Sequence, residues 1–126
     1  MATIRDYTVT YGSNELGYET AFVNATSTTQ SSYAALPTLA ECRTALGIGS
    51  IQEISLKNCF YGCTSLTTVP TIPNNVTNMS SCFSGCTSLT TVPTIPASVT
   101  NMSYCFYNCT SLTTVPTIPN NVTNMS

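Results

Sequence analysis

The sequence predicts a mostly β fold, a solenoid of parallel strands built from a 23-residue repeat and preceded by a small α+β module. Two observations carry that expectation. The phrase S-L-T-T-V-P-T-I-P begins at Ser65, Ser88 and Ser111, and C-F-x-x-C begins at Cys59, Cys82 and Cys105, so each anchor recurs at one fixed interval. From Asn58 to Ser126 there is also no Asp, Glu, Lys, Arg or His. A fixed period means one supersecondary unit per repeat, each burying its apolar face against its neighbours. The missing charges remove most side chains that do acid–base chemistry, bind hard metals or neutralise phosphates. A recognition or scaffolding surface is therefore expected rather than an enzyme.

At 126 residues the chain is one domain's length with room for a modest core. Its composition divides it into an N-terminal module, residues 1–50, and an array of about three turns, residues 51–126. All the charges, Arg5, Asp6, Glu15, Glu19, Glu41, Arg43, Glu53 and Lys57, precede Asn58. A net charge of -2 without a basic cluster argues against a nucleic-acid partner. No apolar run approaches the ~20 residues that cross a bilayer, so membrane insertion is not expected. The opening M-A-T-I-R-D-Y-T-V-T-Y-G lacks the segments of a secretory signal. With Met1 as the true start, the expectation is a protein that does not leave a cell by the usual secretory route.

Taken in order, Tyr7 to Tyr11 alternates large apolar and polar residues and reads as a strand with Tyr7, Val9 and Tyr11 on one face. Gly12, Ser13 and Asn14 supply a turn. Tyr18 to Val23 reads as a second short strand, and Asn24 to Ser32 as a connector. Thr38 followed three positions later by Glu41 is a capping box. It predicts a helix over 39–46, with Leu39, Cys42 and Leu46 on one face and Gly47 as the left-handed residue that ends it.

In the unit from Ser65 to Thr87 the apolar residues stand mostly three or four apart, which alone suggests a helix. Pro70 and Pro73 refute it, because each removes a backbone donor and pushes its predecessor into extended conformation. The expected turn of the coil has short strands at 66–69 and 76–79 and one helical turn over 80–85. Stacking turn on turn pairs strands in parallel at about 4.8 Å, with Thr67, Thr68 and Thr71 in outer ladders. Uncharged ladders avoid the repulsion of like charges one rung apart.

The stretches V-T-N-M-S-x-C-F-x-x-C-T-S-L-T-T-V-P, at 76–93 and 99–116, resemble the leucine-rich repeats of the BspA-like bacterial surface-antigen class and of mycoplasma surface lipoproteins. The resemblance covers more than half of the chain. It implies a right-handed, curved solenoid with an adhesive or ligand-binding role at a cell surface. One departure is the first cysteine of each pair, Cys59, Cys82 and Cys105, where the family more often has Ala or Met.

Each pair, Cys59–Cys63, Cys82–Cys86 and Cys105–Cys109, reads as free core thiols, as cross-links or as metal ligands. Their neighbours Phe60, Phe83 and Phe106 favour the first of these, a core ladder, and no metal or cofactor is expected. Asn-x-Ser/Thr sequons, six of them in the repeat, are explained by turns and ladders. No nucleophile–base pair can be assembled, since His is absent and every carboxylate lies before the repeats. Glu41 reads as the cap, and Glu15 and Glu19 as solvated charges.

Positions where the units differ are more informative. Asn58, Ser81 and Tyr104 are equivalent, as are Tyr61, Ser84 and Tyr107, while Asn74-Asn75 becomes Ala97-Ser98 and returns as Asn120-Asn121. Tyr61, Tyr104 and Tyr107 read either as a stripe that contacts a carbohydrate or protein ligand or as neutral variation at exposed sites.

The segment L-A-E-C-R-T-A-L-G-I-G-S, residues 39–50, is similar to a helix-plus-glycine segment of bacteriophage head and tail fibre proteins near their attachment regions. That similarity implies a virion protein: residues 1–50 hold other virion proteins, and the array faces host-surface carbohydrate or protein. Homo-oligomers, trimers among them, rest on the same resemblance. The alternatives are a bacterial cell-surface adhesin and a self-assembling extracellular filament. Ser126 is equivalent to Ser80 and Ser103, so the last turn is expected to be continued or covered.

Overall fold

The computed structural model describes residues 2–14, 16–113 and 117–123. The expectations for Glu15 and for the end of the array at Ser126 lie outside these residues. Tyr-Thr-Val-Thr-Tyr alternation produces β2 (Tyr7–Ser13), which is flanked by β1 (Ala2–Ile4) and β3 (Glu19–Ala25) in an antiparallel meander. Tyr7 and Val9 are fully buried as the alternation requires. Tyr11 is not: it lies past the core and its hydroxyl donates to Glu19 Oε1 at 2.6 Å. β2 runs on through Gly12 and Ser13 of the expected turn. The reversal comes at Asn14–Tyr18, where the Asn14 Oδ1 accepts from the Leu16 and Tyr18 amides, both at 2.9 Å.

Helix α1 (Leu39–Leu46) has the expected bounds and caps. Thr38 Oγ1 accepts from the Glu41 amide at 3.2 Å, and Glu41 Oε1 accepts from the Thr38 amide at 3.0 Å. Gly47 ends the helix at φ 70°. Cys42 is buried on its inner face, with Leu39 and Leu46 half-buried beside it.

The module and the array share one sheet. β3 pairs in parallel with β4 (Glu53–Ser55), and β4 with β5 (Val76–Asn78), giving an open five-stranded mixed sheet in the order β1-β2-β3-β4-β5. A parallel bridge from Asn78 to Asn101 carries the pairing one repeat further. The register shifts between Ile54 and Ser55. Its cause is in the sequence: one residue separates the buried Ile54 and Leu56, but two, Thr77 and Asn78, separate the buried Val76 and Met79. The extra residue makes a bulge.

Two expectations for the repeat are also corrected. No strand forms at 66–69: the Leu66 amide closes its own turn on the Cys63 carbonyl at 3.1 Å instead of pairing with a neighbouring rung. The segment is tied by single bonds, such as the Thr67 amide to the Ser31 carbonyl at 2.9 Å. Leu66 is buried there, and Thr67, Thr68 and Thr71 are exposed as outer positions should be. No helical turn forms at 80–85 either. Bonds from Cys82 to Met79, Ser84 to Ser81 and Cys86 to Phe83 close successive four-residue turns, and left-handed Ser81 and Gly85 prevent a helix from propagating.

The apolar core is continuous from Tyr7 and Val23 through Phe60 and Phe83 to Cys105, and so crosses residue 50. Backbone bonds cross it in the same way. The Ala25 amide donates to the Cys59 carbonyl, Phe60 to Cys82 and Phe83 to Cys105, each at 3.0 Å. Ala25 thus occupies the place that a preceding repeat's phenylalanine would take. Among the described residues, no helix is long and apolar enough to cross a membrane.

Candidate ligand-binding surface

The C-F-x-x-C turns build the interior wall. Phe60 and Phe83 stack at 5.8 Å and 4°, and Phe83 and Phe106 at 5.8 Å and 9°. Tyr33, 5.3 Å from Phe60, and Tyr7, 6.1 Å from it, close the stack at the N-terminal end. The cysteines are free thiols, buried except for the half-buried Cys109. Burial pushes Cys86 and Cys105 up to about 12 and Cys42 up to about 11. Thiols held neutral in this way are packing atoms and weak donors, not nucleophiles.

The polar residues of the repeat mostly serve the backbone one rung away. Asn78 and Asn101 each accept from the amide two residues on, at 2.8 and 3.0 Å, and Ser55 does the same in the first rung at 3.2 Å. Hydroxyls reach back: Ser88 donates to the Thr64 carbonyl at 2.7 Å and Ser111 to Thr87 at 2.6 Å. The variable pair belongs to this set. Ser98 donates to the Val76 carbonyl at 2.7 Å, and the Asn121 amide group to Ala97 at 2.9 Å.

Of the three candidate tyrosines, the structure brings Tyr104 and Tyr107 together, ring centroids 6.0 Å apart and edge to face at 89°. Tyr61 stands in Tyr107's column, two rungs away. All three are more than half exposed.

A groove that sequence reading missed lies on the open sheet face. It encloses about 430 Å³ between the β2–β3 loop, with Asn14, Leu16 and Tyr18, and residues of successive strands, among them Phe22, Ser55 and Thr77, with Thr100 of the next rung. Glu53 and Lys57 bring the charges. Glu53 is held by the Asn14 side-chain amide and by Thr20 Oγ1 at 3.4 Å, which fixes the loop against the sheet. Lys57 is exposed, and among the described residues the ion pair is Arg5–Glu41, not one to Lys57. None of the three tyrosines lines this groove. The available signal was Glu53, Ser55 and Lys57 alternating with buried Ile54 and Leu56. What could not be read is that a hairpin loop forty residues earlier in the chain closes the end.

Rungs that recur every 23 residues and pair in parallel along one open sheet are the architecture of a repeat protein. Residues 43–126 match the family model described as "BspA type Leucine rich repeat region (6 copies)", and the chain belongs to that family. Its fold is similar to the crystal structure of a leucine rich repeat protein of T. pallidum, with a TM-score of 0.59 and 20% identity. That likeness covers 93% of this chain and 61% of the other, so this chain spans under two thirds of that protein, and at this identity the likeness is of fold alone. No curated protein matches the chain.

Proposed function

We propose that the chain is a non-enzymatic recognition protein, a leucine-rich-repeat solenoid that binds a ligand at a surface through the groove on its sheet. The observation that carries this reading is the groove itself: about 430 Å³, one wall apolar, the floor lined with Thr, Ser and Asn, and an exposed Lys57. Pockets of that size and mixed lining suit small polar ligands and side branches of polymers. The repeats supply hydroxyls committed to backbone carbonyls and thiols kept neutral by burial, which is material for structure rather than catalysis.

We place this protein on a bacteriophage fibre, with residues 1–50 attached to other virion proteins and the array directed at host-surface carbohydrate or protein. The segment 39–50 supports that placement. So does a recess of about 390 Å³ beside Ile4, formed by Ala40, Glu41, Thr44 and Ala45 on the outer side of α1, which shares no residue with the groove. A second reading, a bacterial cell-surface adhesin, is favoured by the BspA-type family match.

The test is saturable adsorption of the labelled chain to bacteria, compared with Thr77→Trp, which fills the groove. Loss of adsorption with an unchanged fold supports the recognition role, and equal adsorption refutes the groove. Antibody labelling of purified phage particles then separates the fibre from an adhesin labelled on producer cells.

A further inference from the structure

We propose that Tyr61, Tyr104 and Tyr107 form a second binding site, separate from the groove, that takes the rings of a neutral saccharide. The first support is conformational. Asn58, Ser81 and Tyr104 occupy one position in three successive rungs, and all are left-handed, at φ 60°, 55° and 54°. That region suits Asn, whereas a bulky side chain there is an outlier. The geometry is imposed by the rung, since the Asn58 amide donates to Ser80 at 3.0 Å and the Ser81 amide to Ser103 at 2.8 Å. Tyr104 therefore stands where local preference opposes it, and such strain gathers at functional positions.

The second support is arrangement. The Gly62 amide donates to the Ser84 carbonyl and the Gly85 amide to the Tyr107 carbonyl, both at 2.8 Å, so Tyr61, Ser84 and Tyr107 form one column across three rungs. Ser84 is small and buried, while the phenols on either side are 57% and 58% exposed. A small residue thus separates two exposed tyrosines along the column, and Tyr104 stands perpendicular to Tyr107. Burial does not account for these rings. They are left exposed.

Chemistry selects the occupant. A pyranose offers an apolar C–H face to a tyrosine ring and hydroxyls to phenol oxygens, and tyrosine gives that contact with only two side-chain torsions to fix. The surrounding repeats, Asn58 to Ser126, carry no charge that could balance an ionic ligand. A neutral sugar needs no such partner.

The experiment uses the full chain and neutral hexasaccharides of the gluco, manno and galacto series, with affinity read by calorimetry. At least one series is expected to bind, with no dependence on salt. Tyr104→Asn, which restores the first rung's residue, is expected to weaken binding about tenfold or more while raising the thermal midpoint, because it relieves the left-handed tyrosine. Tyr107→Ser, the second rung's residue, is expected to weaken it likewise, and Thr71→Ala, exposed and outside both sites, to leave it unchanged. The proposal is overturned if no neutral series binds or if binding survives Tyr104→Asn. It is also overturned if Thr71→Ala weakens binding as much, or if sedimentation shows self-association lost with the tyrosines, which would assign the patch to a second copy of the chain.

Discussion

The Cys86 thiol donates to the carbonyl oxygen of Phe60, one rung back, at 3.2 Å, and Cys109 makes the same bond to Phe83 at 3.0 Å. In the second and third rungs the second cysteine of C-F-x-x-C is therefore a donor to the preceding rung. In the first rung that rung is absent, and Cys63 lies 3.6 Å from the Tyr33 hydroxyl instead. Cys86→Ala removes both the donor and volume, and should cost about 1–3 kcal/mol in urea unfolding. Cys86→Ser keeps a donor and should cost less. Equal losses would mean that the sulfur matters only as bulk.

Thiol reactivity follows from the same burial. With Cys86 and Cys105 pushed up to about 12, only about one thiol in 10⁴ at these positions is ionised at pH 8. An aromatic disulfide reagent should therefore leave the native chain almost unmodified and titrate all seven cysteines in denaturant. The half-buried Cys109 should react first under native conditions, and rapid native labelling of Cys86 would contradict the packing described above.

The phenylalanine stack predicts a gradient of mutational cost. Phe83 is fully buried between two parallel rings, so Phe83→Ala should lose about 3–5 kcal/mol. Phe106 is only half-buried and, among the described residues, stacks on Phe83 alone, so Phe106→Ala should lose distinctly less. Denaturant midpoints of the two variants decide it, and equal costs would show that a further layer covers Phe106.

Gly62, Gly85 and Asn108 are equivalent and all left-handed, at φ 73°, 79° and 62°. A Cβ at Gly85 would meet the Gly62 Cα at 3.5 Å, ordinary contact, so the obstacle to substitution there is backbone strain and not space. Gly85→Asn should thus cost under about 1 kcal/mol, as the third rung already shows that residue in place, whereas β-branched Gly85→Val should cost about 2 kcal/mol or more. Thermal midpoints of the pair test whether the left-handed turn sets the rung.

What could be read from the sequence was what is local. The ends of α1 were legible because Thr38, Glu41 and Gly47 act within one turn of chain. β2 was legible from strict alternation. β1 has three residues and no pattern, and it exists because Ala2–Ile4 pairs with β2 across the Arg5–Asp6 turn. The misread strand at 66–69 shows the limit of apolar spacing: Leu66 is buried as expected, but burial by itself does not supply a ladder of donors. The groove needed two facts that no local pattern contains, namely that β3 docks on β4 and that Asn14 then reaches Glu53. The equivalence of Tyr61 and Tyr107 was visible in the 23-residue register, and the left-handed backbone of Tyr104 was not.

Arg5 and Glu41 staple β1's turn to the helix cap, and the pair sets a pH dependence. The guanidinium donates to both carboxylate oxygens at 2.8 and 3.0 Å, and the Thr38 amide adds a third bond at 3.0 Å. These bonds, Arg5's first, lower Glu41 to about 2 from its ordinary 4.5. A carboxyl with a depressed folded pKa binds fewer protons than in the unfolded chain. Its contribution is therefore present above about pH 4.5 and is lost as the pH falls towards 2. Both side chains are more than a third exposed, so solvent screening holds the contribution near that of a good helix cap, about 1 kcal/mol. Glu41→Gln should accordingly be less stable than the parent chain by about that amount at pH 7, and the gap should close between about pH 4.5 and 2. Added salt should narrow it at neutral pH. A gap that stays constant across that range would show that the charge on Glu41 contributes nothing and that only the neutral cap geometry does.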